Sequence, residues 1–301
     1  MKWIHRSKLL TSALLLACCF FSRAEPITVV YPEVKAPYDK IFQQITRGIA
    51  EEAKEDILEL KLGDKFDPGD AVEKITTDKV IALGKRGLQV AKKIYKEKPV
   101  VVGALPIRPN GISGVSLTAD PEELFDYLHE LAPEVTKVTV LYTPASAWVI
   151  DDARQKAKAR GLSLNSIKVE NIREAVKAYD RLFAREDLNK TAIWLPLDPI
   201  TANDKIIVPV ILEKAWSNKI VVFSSKPNHA KRGALFSAIP NNELLGRQLV
   251  RLIEKISEKP LPPIVNPLKT VKLAVNLRTA AHLGYEYGSG KRSGFALTFP
   301  K

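Results

Sequence analysis

Short β-branched runs alternate with amphipathic helical patterns along almost the whole chain, and this rhythm restricts the fold more than any other feature. Apolar runs at 27–31, 79–83 and 99–105 read as strands, and 57–62 alternates as a fourth. Between them, 38–55 reads as a helix with Ile41, Ile45 and Ile49 four apart on one face, and 70–77 and 87–96 as two more. Runs that are apolar at consecutive positions are buried on both faces, and strands joined through helices run parallel. The order βαβα therefore predicts a doubly wound sheet with helices on both sides.

The rhythm breaks at 106–116, where Pro106, Pro109, Gly111 and Gly114 supply turn and linker chemistry, and a first crossing between two lobes is expected there. It then restarts. Asp120-Pro121-Glu122-Glu123 opens a helix with an N-cap, a proline at the first helical position and acids in the first turn. Strands follow at 137–142, 164–169, 192–195, 220–224 and 234–239, with helices at 147–160, 172–184 and 206–217. A helix at 241–257 carries Leu244, Leu245, Leu249, Leu252, Ile253 and Ile256 on one face. Four prolines make 259–267 an extended connector, 271–275 is a terminal strand, and the tail from Tyr285 is expected to be loosely held. At 301 residues and 46% apolar, the chain is too long for one small core and too apolar to be disordered. The expected architecture is α/β: two doubly wound, Rossmann-like lobes joined by a hinge. The first lobe takes 25–114, the second 115–239, a return helix at 240–265 packs on the first lobe, and 266–301 is a terminal strand and tail.

Residues 1–24 read as a signal peptide, with Lys2, Arg6 and Lys8 before an apolar run and Ser22-Arg23-Ala24 as a cleavage site. Leu15-Leu16-Ala17-Cys18 offers a second route, acylation of Cys18 as a lipoprotein. Both readings place the chain in the periplasm. Both cysteines, Cys18 and Cys19, lie in this segment, so processing after Ala24 leaves no disulfide, thiolate metal site or cysteine nucleophile. The segment also holds four basic residues and no acidic ones, which reduces the formal charge from +12 to +8. The remaining basic residues are interleaved with acidic ones, as in Lys54-Glu55-Asp56, the pattern of a solvated helix face. No nucleic-acid partner is expected, while a mildly basic surface favours an anionic solute or an anionic membrane.

Several motifs stand in a fixed order. They are Gly111-Ile112-Ser113-Gly114-Val115-Ser116, Leu131-Ala132-Pro133, then Lys137-Val138-Thr139-Val140-Leu141-Tyr142-Thr143-Pro144, Leu195-Pro196-Leu197-Asp198, Lys231-Arg232-Gly233-Ala234-Leu235, Leu245-Gly246-Arg247-Gln248, and Asn276 before Ala280-Ala281 and Leu283-Gly284. In order and spacing, the stretch 112–285 resembles the substrate-binding proteins of one family of ABC importers, whose fold is that of the type I periplasmic binding proteins. The resemblance implies an exported protein that takes a small solute between its lobes. It further implies delivery to an ABC permease, or presentation of the ligand to a membrane sensor such as a kinase or cyclase. Known members often bind an aromatic amino acid. Two departures fall in strand-end loops: Lys85-Arg86-Gly87 replaces the family's Thr-Pro-Ala, and Ala145-Ser146-Ala147-Trp148 lacks its Glu and Asn.

In a doubly wound sheet ligands bind beyond the carboxyl ends of the strands, which selects the loops 31–33, 84–87, 105–108, 143–148, 198–201 and 224–228. Candidate ligand-binding residues are Tyr31, Gly84, Lys85, Arg86, Pro106, Ser146, Trp148, Asp198, Ser224 and Ser225. Lys85 and Arg86, before a helix, form either a clamp for an anion or a solvated pair. Asp198 either receives a ligand amine or caps the segment after it. Tyr31 and Trp148 stack on a ring or close the cleft, with core packing on its helix the other reading of Trp148; the three serines donate to a polar ligand or to local backbone. The solute is then an amino acid or a small organic anion. No phosphate loop, nucleophile elbow or metal-spaced histidine set appears outside the leader, so neither enzyme activity nor a cofactor or metal is expected.

Overall fold

The computed structural model describes residues 26–185, 187–259 and 261–300; the leader read over 1–24 lies outside the described residues. The chain runs β1 (Ile27–Pro32), α1 (Asp39–Glu52), β2 (Ile57–Leu62), α2 (Pro68–Glu73), β3 (Lys79–Leu83), α3 (Gly84–Ile94), β4 (Val100–Gly103) and β5 (Ser113–Ala119). It continues as α4 (Pro121–Leu131), β6 (Lys137–Tyr142), α5 (Ala147–Ala159), β7 (Ser163–Lys168), α6 (Ile172–Arg185), β8 (Thr191–Leu195), α7 (Ile207–Ser217), β9 (Val221–Ser224), α8 (His229–Arg232) and β10 (Phe236–Pro240). The last elements are α9 (Asn242–Glu258), β11 (Val265–Leu268), β12 (Val271–Asn276), α10 (Leu277–Leu283), α11 (Ser289–Arg292) and β13 (Leu297–Phe299).

Two sheets result, in the orders β11-β5-β4-β3-β1-β2 and β13-β12-β10-β9-β8-β6-β7. All pairs are parallel except β10 with β12. Consecutive apolar residues explain this: Val80, Ile81, Ala82 and Leu83 are all sealed from water, as are Ala192, Ile193, Trp194 and Leu195. Pro209, which a helix interior would not tolerate, sits in the first turn of α7, where its missing N–H has no intrahelical partner to lose.

The polypeptide passes between the sheets three times: at Asp120 after β5, at Asn241 after β10, and at 269–270 between β11 and β12. The first and third passages are joined, since the Asp120 amide donates to the Leu268 carbonyl at 2.9 Å. α9 returns to the first sheet and packs along α1. There a Cβ on Gly48 would overlap the Glu243 carbonyl and one on Gly246 the Ile45 carbonyl, so only glycine permits the approach. The largest apolar core is continuous from Ile45 and Leu249 in the first lobe to Trp194 and Phe223 in the second.

Three sequence expectations are corrected. The crossing expected at 106–116, with the lobe boundary at 114/115, falls later: β5 pairs with β4 and β11, and the chain leaves the first sheet after Ala119. Gly114 is a packed strand residue, where a Cβ would overlap the Val102 carbonyl. The proline-rich connector ends in an edge strand, β11, with Pro267 at a break in its register with β5, where no ladder N–H is needed. The tail from Tyr285 is held down. The buried Tyr287 donates its hydroxyl to the Leu131 carbonyl at 2.8 Å, Phe295 packs edge-on against the Tyr287 ring, and β13 pairs with β12. Among the described residues no helix is long and apolar enough to cross a membrane.

Candidate ligand cleft

Each sheet has a switch point where the strand order reverses, between β1 and β3 in the first lobe and between β6 and β8 in the second. Loops diverging at such a point leave a crevice beyond the strand ends. Beyond the strand ends of the second lobe lies a cavity of about 410 Å³, lined almost wholly by that lobe, with Leu197, Asp198, Asp204, Lys205 and Lys226 on its wall and Pro106 as the one first-lobe residue that reaches it.

The second lobe's rim is built on Asp198, which is 2% exposed. Its Oδ2 accepts from the Thr143 amide at 3.0 Å, the Thr143 hydroxyl at 2.7 Å and the Ser146 hydroxyl at 2.8 Å. Its Oδ1 accepts from the amides of Ile200 at 2.9 Å and Thr201 at 3.2 Å. Burial pushes the carboxyl's pKa up, but the hydrogen bonds, led by the Thr143 hydroxyl and the Ile200 amide, outweigh it and hold it below the ordinary value. Asp198 and Ser146 thus meet, as part of a knot between the loops after β6 and β8. The carboxylate's acceptor sites are spent on the protein, which favours the capping reading over a ligand amine.

Beyond β9, Ser224 Oγ lies 2.7 Å from Nδ1 of His229, and Nε2 of His229 lies 2.9 Å from Asp204 Oδ1. Lys226 and Arg232 also pair with Asp204. The imidazole is sealed from water, and burial, followed by the charges of Lys226 and Arg232, pushes its pKa down to about 4. It is therefore neutral, with Nε2–H donating to Asp204 and Nδ1 accepting from Ser224. These residue types match a hydrolytic triad, but Ser224 is fully buried and also receives the Lys226 amide at 3.0 Å, so its hydroxyl faces protein on all sides. Ser225 is equally local, its Oγ accepting the buried Trp194 indole N–H at 3.0 Å.

The first lobe's rim is tied by Arg86. Its guanidinium donates to the carbonyls of Glu33 at 3.2 Å and Leu62 at 2.8 Å and pairs with Asp64, joining the ends of β1 and β2 to α3. Lys85 beside it is exposed and has no ion pair among the described residues. Gly84 takes φ +69°, a conformation open to glycine, and so turns β3 directly into α3 over Phe42 and Pro32. Tyr31 is buried, donates to Glu59 Oε2 at 2.6 Å and stacks on Phe42 with ring centres 5.9 Å apart. Burial, then Glu59, raises its phenol pKa. Trp148 is half-buried against the large core. The structure thus brings Pro106 and Asp198 to one cavity and leaves Tyr31, Trp148, Ser224 and Ser225 in local packing. Sequence reasoning missed Asp204, and selected the 224–228 loop without naming its Lys226, both of which line the cavity. The available signal was Asn203, whose carboxamide caps the amides of Lys205 and Ile206 and extends the loop past Thr201.

Two α/β lobes, three crossings and strand ends facing one gap define a two-lobed solute-binding protein of the type I periplasmic-binding-protein fold. Residues 37–289 match the model of the ABC transporter substrate binding protein family, and the chain belongs to that family, whose members are extracytoplasmic proteins that bind a small molecule without transforming it. Three solved structures similar to this chain share the fold, each covering 91% of this chain and 99% of its own. An ABC domain from Streptococcus pneumonia in complex with L-Trp is 20% identical with a TM-score of 0.53. A substrate-binding protein with adhesive properties from Clostridium difficile, in its ligand-free open form, is 19% identical with a TM-score of 0.60. A conserved domain protein from Vibrio cholerae O1 biovar El Tor is 18% identical with a TM-score of 0.51. A search of curated proteins finds no match. Among the described residues no group of three or more His, Cys, Asp or Glu is placed to hold a metal ion.

Proposed function

We propose that this protein captures a small carboxylate-bearing solute, an amino acid or small organic anion, in the gap between its lobes and hands it to an ABC permease. The observation that carries this is the cavity of about 410 Å³ at the second lobe's strand ends, which Pro106 of the first lobe reaches, a size that suits a small solute. The charge of its surroundings supports an anion. Asp198 is saturated by the protein and Asp204 is matched by Lys226, Arg232 and His229, whereas Lys205 is an exposed cation on the cavity wall and Lys85 an exposed cation at the end of β3 in the first lobe. The L-Trp held by the streptococcal relative supports an amino acid within that class. In this reading Lys85 meets the carboxylate, Gly84 brings the α3 backbone amides close, and Pro106 and Asp198 shape opposite walls. A thermal-shift screen of amino acids, dicarboxylates and phosphorylated solutes tests it, because a ligand that binds only the folded state raises Tm. Stabilisation by a carboxylate-bearing solute, reduced by Lys85→Ala, is expected; stabilisation only by solutes that lack a carboxylate contradicts the class.

A further inference from the structure

The second lobe carries a groove outside the gap that the solute reading does not use. Along α7 and the residue before it, Ile206, Val210 and Trp216 are 50%, 44% and 37% exposed, and of these Trp216 lines the groove. Pro209, Leu212 and Trp216 form the apolar wall of a hollow of about 450 Å³, and Lys231 and Arg278 stand on its other wall. Lys231, Asn276 and Arg278 also line an adjoining hollow of about 480 Å³ that ends at Phe299 and Pro300, so the two form one channel. Its geometry is fixed from below: His282 stacks flat on the Trp216 indole, ring centres 3.7 Å apart, and donates its Nε2–H to the Trp216 carbonyl at 2.9 Å. Arg278 stands 5.5 Å from the centre of the same indole. Arg232 is paired with Asp204, but among the described residues neither Lys231 nor Arg278 has an ion pair, and Glu213 is the one carboxylate on the walls.

We propose that this groove docks an acidic, amphipathic segment of a partner protein, with its apolar side chains against α7 and its carboxylates against Lys231 and Arg278. Charge complementarity selects that occupant. A basic or uncharged segment would cover two cations without a counter-charge. A second copy of this chain, itself at +8 formal charge without residues 1–24, would bring more like charge. An anionic bilayer supplies the charge but, being flat, does not enter a concave channel. The inference concerns a face other than the solute gap and stands whether or not the solute reading does.

The test pans a random peptide library against the intact protein, with the K231E/R278E double variant as counter-target and circular dichroism melts showing that the variant folds. Enriched peptides are expected to carry several Asp or Glu residues with apolar residues at three- and four-residue spacing. A synthetic peptide of that pattern should bind about tenfold more weakly to K231E/R278E, and more weakly also to Trp216→Ala, which cuts back the apolar wall and keeps both cations. Enrichment of basic or uncharged peptides, enrichment indifferent to both variants, or no enrichment overturns the proposal. So does flotation of the protein with phosphatidylglycerol vesicles that K231E/R278E abolishes while peptide binding persists unchanged.

Discussion

In the second lobe the loops beyond the strands are tied by side chains sealed from water, whereas in the first they are tied by a side chain in contact with it. Asp198 is 2% exposed and His229 fully buried, and each joins segments distant in sequence. Arg86 does the corresponding work in the first lobe, but its partner Asp64 is largely exposed, and its other acceptors are the backbone carbonyls of Glu33 and Leu62. A buried hydrogen-bonded charge is costly to disturb, while an exposed ion pair contributes little. The second lobe therefore presents a preformed wall, and the first a rim that can adjust as the gap is occupied.

The largest effect should come from Asp198→Ala, which removes the acceptor of two hydroxyls and three buried or half-buried amides. A loss of about 3–5 kcal/mol in denaturant unfolding is expected; a loss below about 1 kcal/mol would break the contrast between the lobes. Next comes His229. Its folded pKa of about 4 lies below the ordinary 6.5, so the folded state binds fewer protons than the unfolded one between those values. Its contribution is full above pH 6.5 and is lost as pH falls toward 4, with a slope of at most about 1.4 kcal/mol per pH unit. His229→Gln should flatten stability against pH in that window, and an unchanged slope would contradict a buried neutral imidazole. The Asp198 carboxyl, held low, gives way only at still lower pH.

Arg86→Ala should cost about 1 kcal/mol, because water can replace the guanidinium at Glu33, Leu62 and Asp64; a cost near that of Asp198→Ala would show that both rims are equally rigid. Lys85→Ala should leave unfolding within about 0.5 kcal/mol of the parent. It should weaken a carboxylate solute by about tenfold, measured by calorimetry. That separation of binding from stability is what sharpens the assignment of Lys85 rather than Arg86 to the ligand.

Much of the fold was legible because its periodicities are local: 3.6-residue stripes such as Ile45 and Ile49, and fully apolar runs such as 79–83, need no knowledge of neighbours. The crossing was misplaced because Gly114 has two possible uses, a linker or a close backbone approach, and only the partner strand's Val102 carbonyl decides between them. The tail was misread for the same reason: a Gly- and Lys-rich segment looks loose until Leu131 supplies an acceptor for Tyr287, far away in sequence. Within the site, Asp198 was legible as a position and not as a role. Asp204 and His229 lie 25 residues apart, and backbone acceptors such as the Leu62 carbonyl carry no sequence signature, so neither tie could be read beforehand.

Whether the solute occupies the gap between the lobes is tested most directly by titration calorimetry of the carboxylate found in the thermal-shift screen, against the parent protein and Leu197→Trp, which fills the cavity from the second lobe. One-to-one binding to the parent that disappears in a folded Leu197→Trp protein is the predicted result. Equal affinity for both proteins would place the solute elsewhere.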